Sequence, residues 1–265
     1  TRPDPELVQR AAVEIARAER PVIVAGGGVL TSGAWDELTA FAESLNIPVA
    51  TSINGKGSIA ETSPVSIGIV GGNGARPYTN AIVASADLVI FVGTRTDSTT
   101  THHWKVPPMF GGPPAIQIDV EPYEIGNNYR LVVPGAGDAK LALRDLLAAI
   151  DRPAEIGARH RSRIDALVAE RDRYWADVER QAASRNRPIK PQVVVRAMRK
   201  LLDDDVIIVA DPGTPTPYLG AQYELRRAGR TTIIPRAHGG LGYAIPGVVG
   251  AAYARADRRI IGMTG

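Results

Sequence analysis

Gly26, Gly27 and Gly28 stand directly after an apolar run, PVIVA, and before a helical pattern. Glycines at such a junction let a backbone approach a phosphate at a helix N-terminus, with Thr31 and Ser32 as candidate caps. The spacing lacks the third glycine of a dinucleotide fingerprint. The next strand-like run ends in Thr51 and Ser52, with no acid to hold a ribose hydroxyl, which argues against an ordinary NAD site. A plain tight turn needs the same glycines, and both readings stay open. Arg95 follows the strongest apolar run, DLVIFVG, and Asp119 closes another, AIQID. An arginine can pair with a phosphate and an aspartate with a ribose, and ligands of open α/β sheets bind at strand carboxyl ends. Each alone is also an ordinary solvated loop charge.

Further along, Asp211, Pro212, Gly213 and Thr214 follow the run VIIVA. Gly213 offers an amide and Thr214 a hydroxyl to a diphosphate, or the stretch is a Pro/Gly turn. Residues 236–247, RAHGGLGYAIPG, surround the bulky Leu241 with glycines, including Gly239 and Gly240. That pattern suits a backbone packed closely on a ligand, or a helix packed on a sheet. Gly68, Gly71, Gly72 and Gly74 form another glycine cluster, read as a loop. His102 and His103 lie beside Trp104 in a Thr-rich loop without the spaced partners of a metal site, and are expected at the surface.

The elements that must position these residues come from a chain of 265 residues with 31 Lys+Arg, 28 Asp+Glu, a net charge of +3 and no cysteine. The length fits one large domain or two small ones. Hydrophobic content of 44% and charged content of 22% match an ordinary soluble globular protein. Lack of cysteine excludes a disulfide framework, thiol catalysis and thiolate metal sites. No apolar run approaches the roughly 20 residues that span a bilayer, and TRPDPELVQR has no signal-peptide core. A cytoplasmic enzyme without a membrane partner is expected. Aromatic content is only 5% and the basic residues are scattered, so no nucleic-acid partner is expected.

Residues 21–25, 48–51, 87–93, 115–119 and 131–133 read as strands, and 35–45, 81–86 and 139–150 as helices. Val/Ile-rich runs alternating with helices predict an α/β fold, a parallel sheet of Rossmann-like type with right-handed crossovers. From 151 to 190 strands vanish. Ile164, Leu167, Val168, Trp175 and Val178 leave one narrow apolar stripe on a polar helix. The α/β pattern then restarts, with helices over 192–202 and 241–254 and strands over 206–210, 231–234 and 259–263. The expected organisation is a central α/β domain over 1–152, a linker helix over 153–190 and a second α/β domain over 191–265. A sheet usually has about five or six strands, and buried parallel strands need neighbours. The second domain is therefore expected to be truncated, with the protein continuing beyond Gly265.

The stretches RPVIVAGGGV, IPVATSINGKG, ADLVIFVGTR, IQIDVEPYEIGNN, DPGTPTPYL, HGGLGYAIPGVVGA and IIGMTG occur in this order along essentially the whole chain. Together they resemble the thiamine-diphosphate (ThDP) enzymes of the acetolactate synthase group. The first four look like that group's central domain, and the rest like the opening of its diphosphate-binding domain, the ThDP-binding fold.

The resemblance implies roles. Gly213 and Thr214 match the loop on the cofactor diphosphate, and Gly239 and Gly240 the backbone facing the pyrimidine. Leu241 matches the apolar wedge that bends thiamine so that its amino group nears the thiazolium C2. His238 is then a candidate substrate contact. The cofactor ylid acts as nucleophile and electron sink. Gly265 matches the first glycine of the family's Gly-Asp-Gly magnesium motif, and the activating Glu belongs to an N-terminal domain. No catalytic residue and no metal ligand are thus expected within this chain, which alone should be inert. The family's central domain holds FAD, ADP, coenzyme A or nothing, and Gly26, Gly27, Gly28, Arg95 and Asp119 are the candidate contacts. FAD-bearing members tend to show Arg-Phe-Asp-Asp-Arg after the strong strand, whereas here only Arg95 and Asp97 match.

The implied activity is ThDP- and Mg²⁺-dependent decarboxylation of a small 2-oxo acid such as pyruvate. Transfer or joining of the acyl or aldehyde unit follows. A coenzyme A-thioester lyase or decarboxylase, of the oxalyl-CoA or 2-hydroxyacyl-CoA type, is the alternative. A non-catalytic nucleotide-binding module is the alternative of a different class. The family's active site lies between subunits, which implies a homodimer or homotetramer.

Overall fold

The apolar runs form short parallel strands, and helices cover the larger sheet. In the computed structural model, residues 1–236 and 238–265 are described. The first part runs α1 (Pro5–Arg17), β1 (Pro21–Ala25), α2 (Gly27–Ser32), α3 (Trp35–Leu45), β2 (Val49–Thr51), β3 (Ser66–Ile69), α4 (Pro77–Ala84), β4 (Leu88–Val92), β5 (Ala115–Asp119), β6 (Leu131–Ala136) and α5 (Ala139–Ala149). The long α6 (Pro153–Ala182) leads to α7 (Pro191–Leu201), β7 (Ile207–Ala210), α8 (Pro215–Gln222), β8 (Thr232–Ile233), α9 (Ala244–Ala254) and β9 (Ile260–Met263).

Six strands pair in the order β3-β2-β1-β4-β5-β6, all parallel. This is the α/β architecture expected from the alternation. Three more pair as β8-β7-β9, also parallel. β1 and β4 are buried at every position, which is why their sequences read as unbroken Val/Ile runs.

The structure corrects several expectations. α1 was not anticipated, although Asp4 caps it by accepting from the Glu6 amide and Val8, Ala11, Ala12 and Ile15 bury one face. β3 falls partly in the stretch read as a glycine loop. Gly68 is inside the strand at φ +82°, where a Cβ would lie 2.6 Å from the Arg76 guanidinium, so an arginine occupies the space a side chain would fill. Thr31 and Ser32 do not cap the helix that follows the glycines; the Ser32 hydroxyl instead accepts from the Lys140 amide in the first turn of α5. α2 begins at Gly27, the Thr31 hydroxyl donates to Gly27 O, and the Ser32 hydroxyl donates to Asp138 at the start of α5. α9 begins at Ala244 rather than 241, because the Gly242 φ of +81° turns the chain just before it.

The two sheets meet through a buried charge cluster. Glu61 accepts from Lys56 Nζ and Arg76 Nη2, each at 2.8 Å, and all these side chains are at most 4% exposed. Glu61 and Leu225 exchange backbone and carboxylate bonds at 2.7 Å, Lys56 donates to Gly220 O, and Arg76 donates to Ala221 O. The end of α8 is thereby fastened to the segment following β2. Arg76 also lies 4.7 Å from the Trp175 ring of α6, and Arg196 of α7 lies 4.9 Å from the same ring. Ile53 and Ile69 join Ile208, Leu219 and Tyr223 in one apolar cluster, so the second core grows directly on the first.

Candidate functional site

The strand order reverses between β1 and β4, and a crevice opens beyond their carboxyl ends. It encloses about 650 Å³, and Gly27, Gly28, Arg95, Asp119 and Arg236 are among its lining. Four residues singled out from the sequence are therefore brought to one cleft. Gly26 is not among its lining. A Cβ there would sit 2.2 Å from Gly93 O, and one on Gly28 would sit 2.6 Å from Gly93 Cα. Part of the glycine cluster thus serves close backbone packing between the ends of β1 and β4, and part faces the cleft. Gly26→Ala is expected to cost about 1–3 kcal/mol, as overpacking does. Gly27→Ala, whose new Cβ would meet Asn54 at an ordinary 3.4 Å, should be nearly neutral. Urea unfolding of the two variants checks this contrast.

Arg95 pairs with Glu124 at 3.0 Å and its side chain is 70% exposed. Asp97 is occupied locally, accepting from the Thr99 and Thr100 amides. Asp119 accepts from the Glu121 amide. His102 and His103 lie on an exposed turn, as expected, and no cluster of three metal-ligating side chains exists among the described residues.

The second site lies at the carboxyl ends of β7 and β9. Gly213 and Thr214 follow β7, and Gly265 closely follows β9. A Cβ on Gly213 would lie 3.4 Å from Leu241 Cδ2 and 3.9 Å from Gly265 O, so these separate segments converge. Leu241 is 73% exposed, and a Cβ on Gly239 or Gly240 would meet nothing within 4 Å among the described residues. Pro215 and Pro217 remove amide donors from the first turn of α8, and the Thr216 amide is spent on Gly213 O. Among the described residues the amides of Gly213 and Thr214 have no acceptor, and the Thr214 hydroxyl makes no cap bond. Amide and hydroxyl donors beside an exposed apolar side chain and bare glycine backbone fit a ligand with a diphosphate and an aromatic ring. They fit thiamine diphosphate. They do not by themselves fit a metal ion.

His238 is exposed and borders an adjoining cleft of about 870 Å³ together with Gly239, Gly240 and Tyr243. That cleft and the β1/β4 crevice share Gly27, Ile53, Asn54 and Arg236. Arg236 was not singled out from the sequence. Its Nη1 donates to Pro212 O, and its Nε is buried without a partner among the described residues. Asp211 was missed as well. The residue is 2% exposed, and its carboxylate accepts from the amides of Gly242 and Ala244. A lone arginine or aspartate beside a Pro/Gly turn carries no local signal of such contacts.

The family description of the thiamine pyrophosphate enzyme central domain matches residues 8–146. The chain belongs to the thiamine pyrophosphate enzyme family. The six-stranded sheet lies wholly within the matched region, so it is the family's central domain. Similar proteins include the probable acetolactate synthase large subunits of Methanocaldococcus jannaschii and Methanococcus aeolicus. The first is 33% identical over 277 residues, covering 98% of this chain and 44% of that protein. The second is 32% identical over 273 residues, with the same coverage of each. The acetolactate synthase large subunit of Parasynechococcus marenigrum is 31% identical, covering 99% of this chain and 41% of its own. The chain thus spans less than half the length of these relatives. Membership of this family implies thiamine diphosphate as cofactor. No described helix is long and apolar enough to cross a membrane.

Proposed function

We propose that this chain is part of a ThDP- and Mg²⁺-dependent, acetolactate synthase-like enzyme. It decarboxylates a small 2-oxo acid and joins or transfers the acyl or aldehyde unit. The observation that carries the reading is the exposed Leu241 lying against Gly213 where β7 and β9 end. When bound, the cofactor supplies the carbanion nucleophile and electron sink. Gly213 and Thr214 donate to its diphosphate, Gly239 and Gly240 leave room for its pyrimidine, and Leu241 supports its bend. His238 contacts substrate. The Mg²⁺ ligands and the activating acid come from outside these residues. The organisation is a central domain over 1–152, a linker helix over 153–190 and part of a diphosphate-binding domain over 191–265. The whole protein is a cytoplasmic homodimer or homotetramer.

The β1/β4 crevice takes the phosphate and ribose of a nucleotide through Gly27, Gly28, Arg95 and Asp119. Calorimetric titration with ADP, coenzyme A and FAD should give saturable binding of one of them, weakened by Arg95→Ala. The main reading is tested with the intact protein, ThDP, Mg²⁺ and a panel of 2-oxo acids. A rise in melting temperature with ThDP and carbon dioxide release are expected. Neither effect with any acid would overturn the reading.

A further inference from the structure

We infer that Asp211 is a positioning residue whose carboxylate holds the loop carrying Leu241 over the cofactor site. The inference rests on the cofactor reading above. Asp211 follows β7, and its own backbone is locked. Its amide donates to Met263 O at 2.9 Å, and its carbonyl accepts from the Thr216 hydroxyl at 2.8 Å. From that anchored point Oδ2 accepts from the Gly242 amide at 3.2 Å and Oδ1 from the Ala244 amide at 2.8 Å. Both oxygens are used, so the buried carboxylate acts through the loop and not on substrate.

Among the described residues, little else holds the loop. Leu241 is 73% exposed, so packing contributes little, and Cβ atoms built on Gly239, Gly240 and Gly242 would find no neighbour within 4 Å. The residue before α9, Tyr243, makes no side-chain cap bond, so Asp211 caps this helix from a distant element. A carboxylate on amides at a helix start is a charge-assisted contact favoured by the helix dipole. Because the two bonds straddle Tyr243, they fix the chain direction immediately after Leu241.

Residue-resolved amide exchange on the intact, cofactor-free wild-type protein comes first. Protection at Gly242 and Ala244, with fast exchange at Gly239 and Gly240, is expected; equal exchange at all four overturns the inference. Asp211→Asn keeps the volume but replaces one acceptor by a donor. It should speed exchange at Gly242 and Ala244 about tenfold, the scale of one lost charged hydrogen bond. With ThDP saturating, turnover should fall about tenfold, and Asp211→Asn combined with Leu241→Ala should be no slower than Leu241→Ala alone, since both act through one side chain. Unchanged exchange in Asp211→Asn, or turnover losses that multiply in the double variant, overturns the inference. Exchange needs no cofactor, so absence of ThDP binding by the wild type would remove the cofactor reading while the exchange result still decides what Asp211 holds.

Discussion

Glu61→Gln is expected to lower the unfolding free energy by about 3–5 kcal/mol, a large share of the roughly 5–15 kcal/mol of a whole domain. The side chains of Lys56 and Arg76 are fully buried, and Glu61 is the carboxylate they share. Removing its charge leaves Lys56 and Arg76 in a low-dielectric interior without the carboxylate they share, and a neutral amide cannot compensate both. The Leu225 amide also loses its charged acceptor, so the end of α8 should loosen from the first sheet. Urea unfolding followed by circular dichroism reads the loss, and a change under about 1 kcal/mol would contradict it.

The same residue sets an acid limit. Burial alone pushes the Glu61 carboxyl upward, but Lys56, Arg76 and the Leu225 amide outweigh it and hold the group below its ordinary value. A carboxyl depressed in the folded state contributes stability that is fully present above its unfolded value, about 4.3. That contribution is lost as pH falls through the lower folded value. The wild type should therefore lose stability on acidification below about pH 4, and Glu61→Gln should lack this component.

Leu241→Ala should behave in the opposite way. The side chain is 73% exposed, so folding stability should change by no more than about 0.5 kcal/mol. In the intact protein, turnover should fall more than about tenfold while ThDP affinity changes less than about threefold, because the side chain shapes the bound cofactor more than it retains it. Steady-state kinetics at saturating ThDP and a binding titration separate the two. Equal loss of both would remove the wedge role.

Much of the fold was legible because its signals are local. β1 and β4 are buried on both faces, so nothing interrupts their apolar runs. Gly27, Gly28, Arg95 and Asp119 could be assembled because each follows or ends a strand, and parallel strands bring their carboxyl ends to one edge. β3 was hidden by Gly68, whose conformation answers to Arg76 and not to its sequence neighbours. Lys56, Glu61 and Arg76 read as ordinary loop charges, since their partners Gly220, Ala221 and Leu225 lie 145 to 164 residues away.

Residue types and their order determined the parallel α/β architecture and the glycine loops at strand ends, because hydrophobic period and the need for glycine act over a few neighbouring residues. Only the tertiary structure decided that Gly26 packs against Gly93 while Gly27 meets a cleft, that Glu61 ties two sheets together, and that Asp211 holds the Leu241 loop. Those roles depend on hydrogen bonds, ion pairs and close contacts between segments far apart in the chain, and such contacts exist only once the strands have paired.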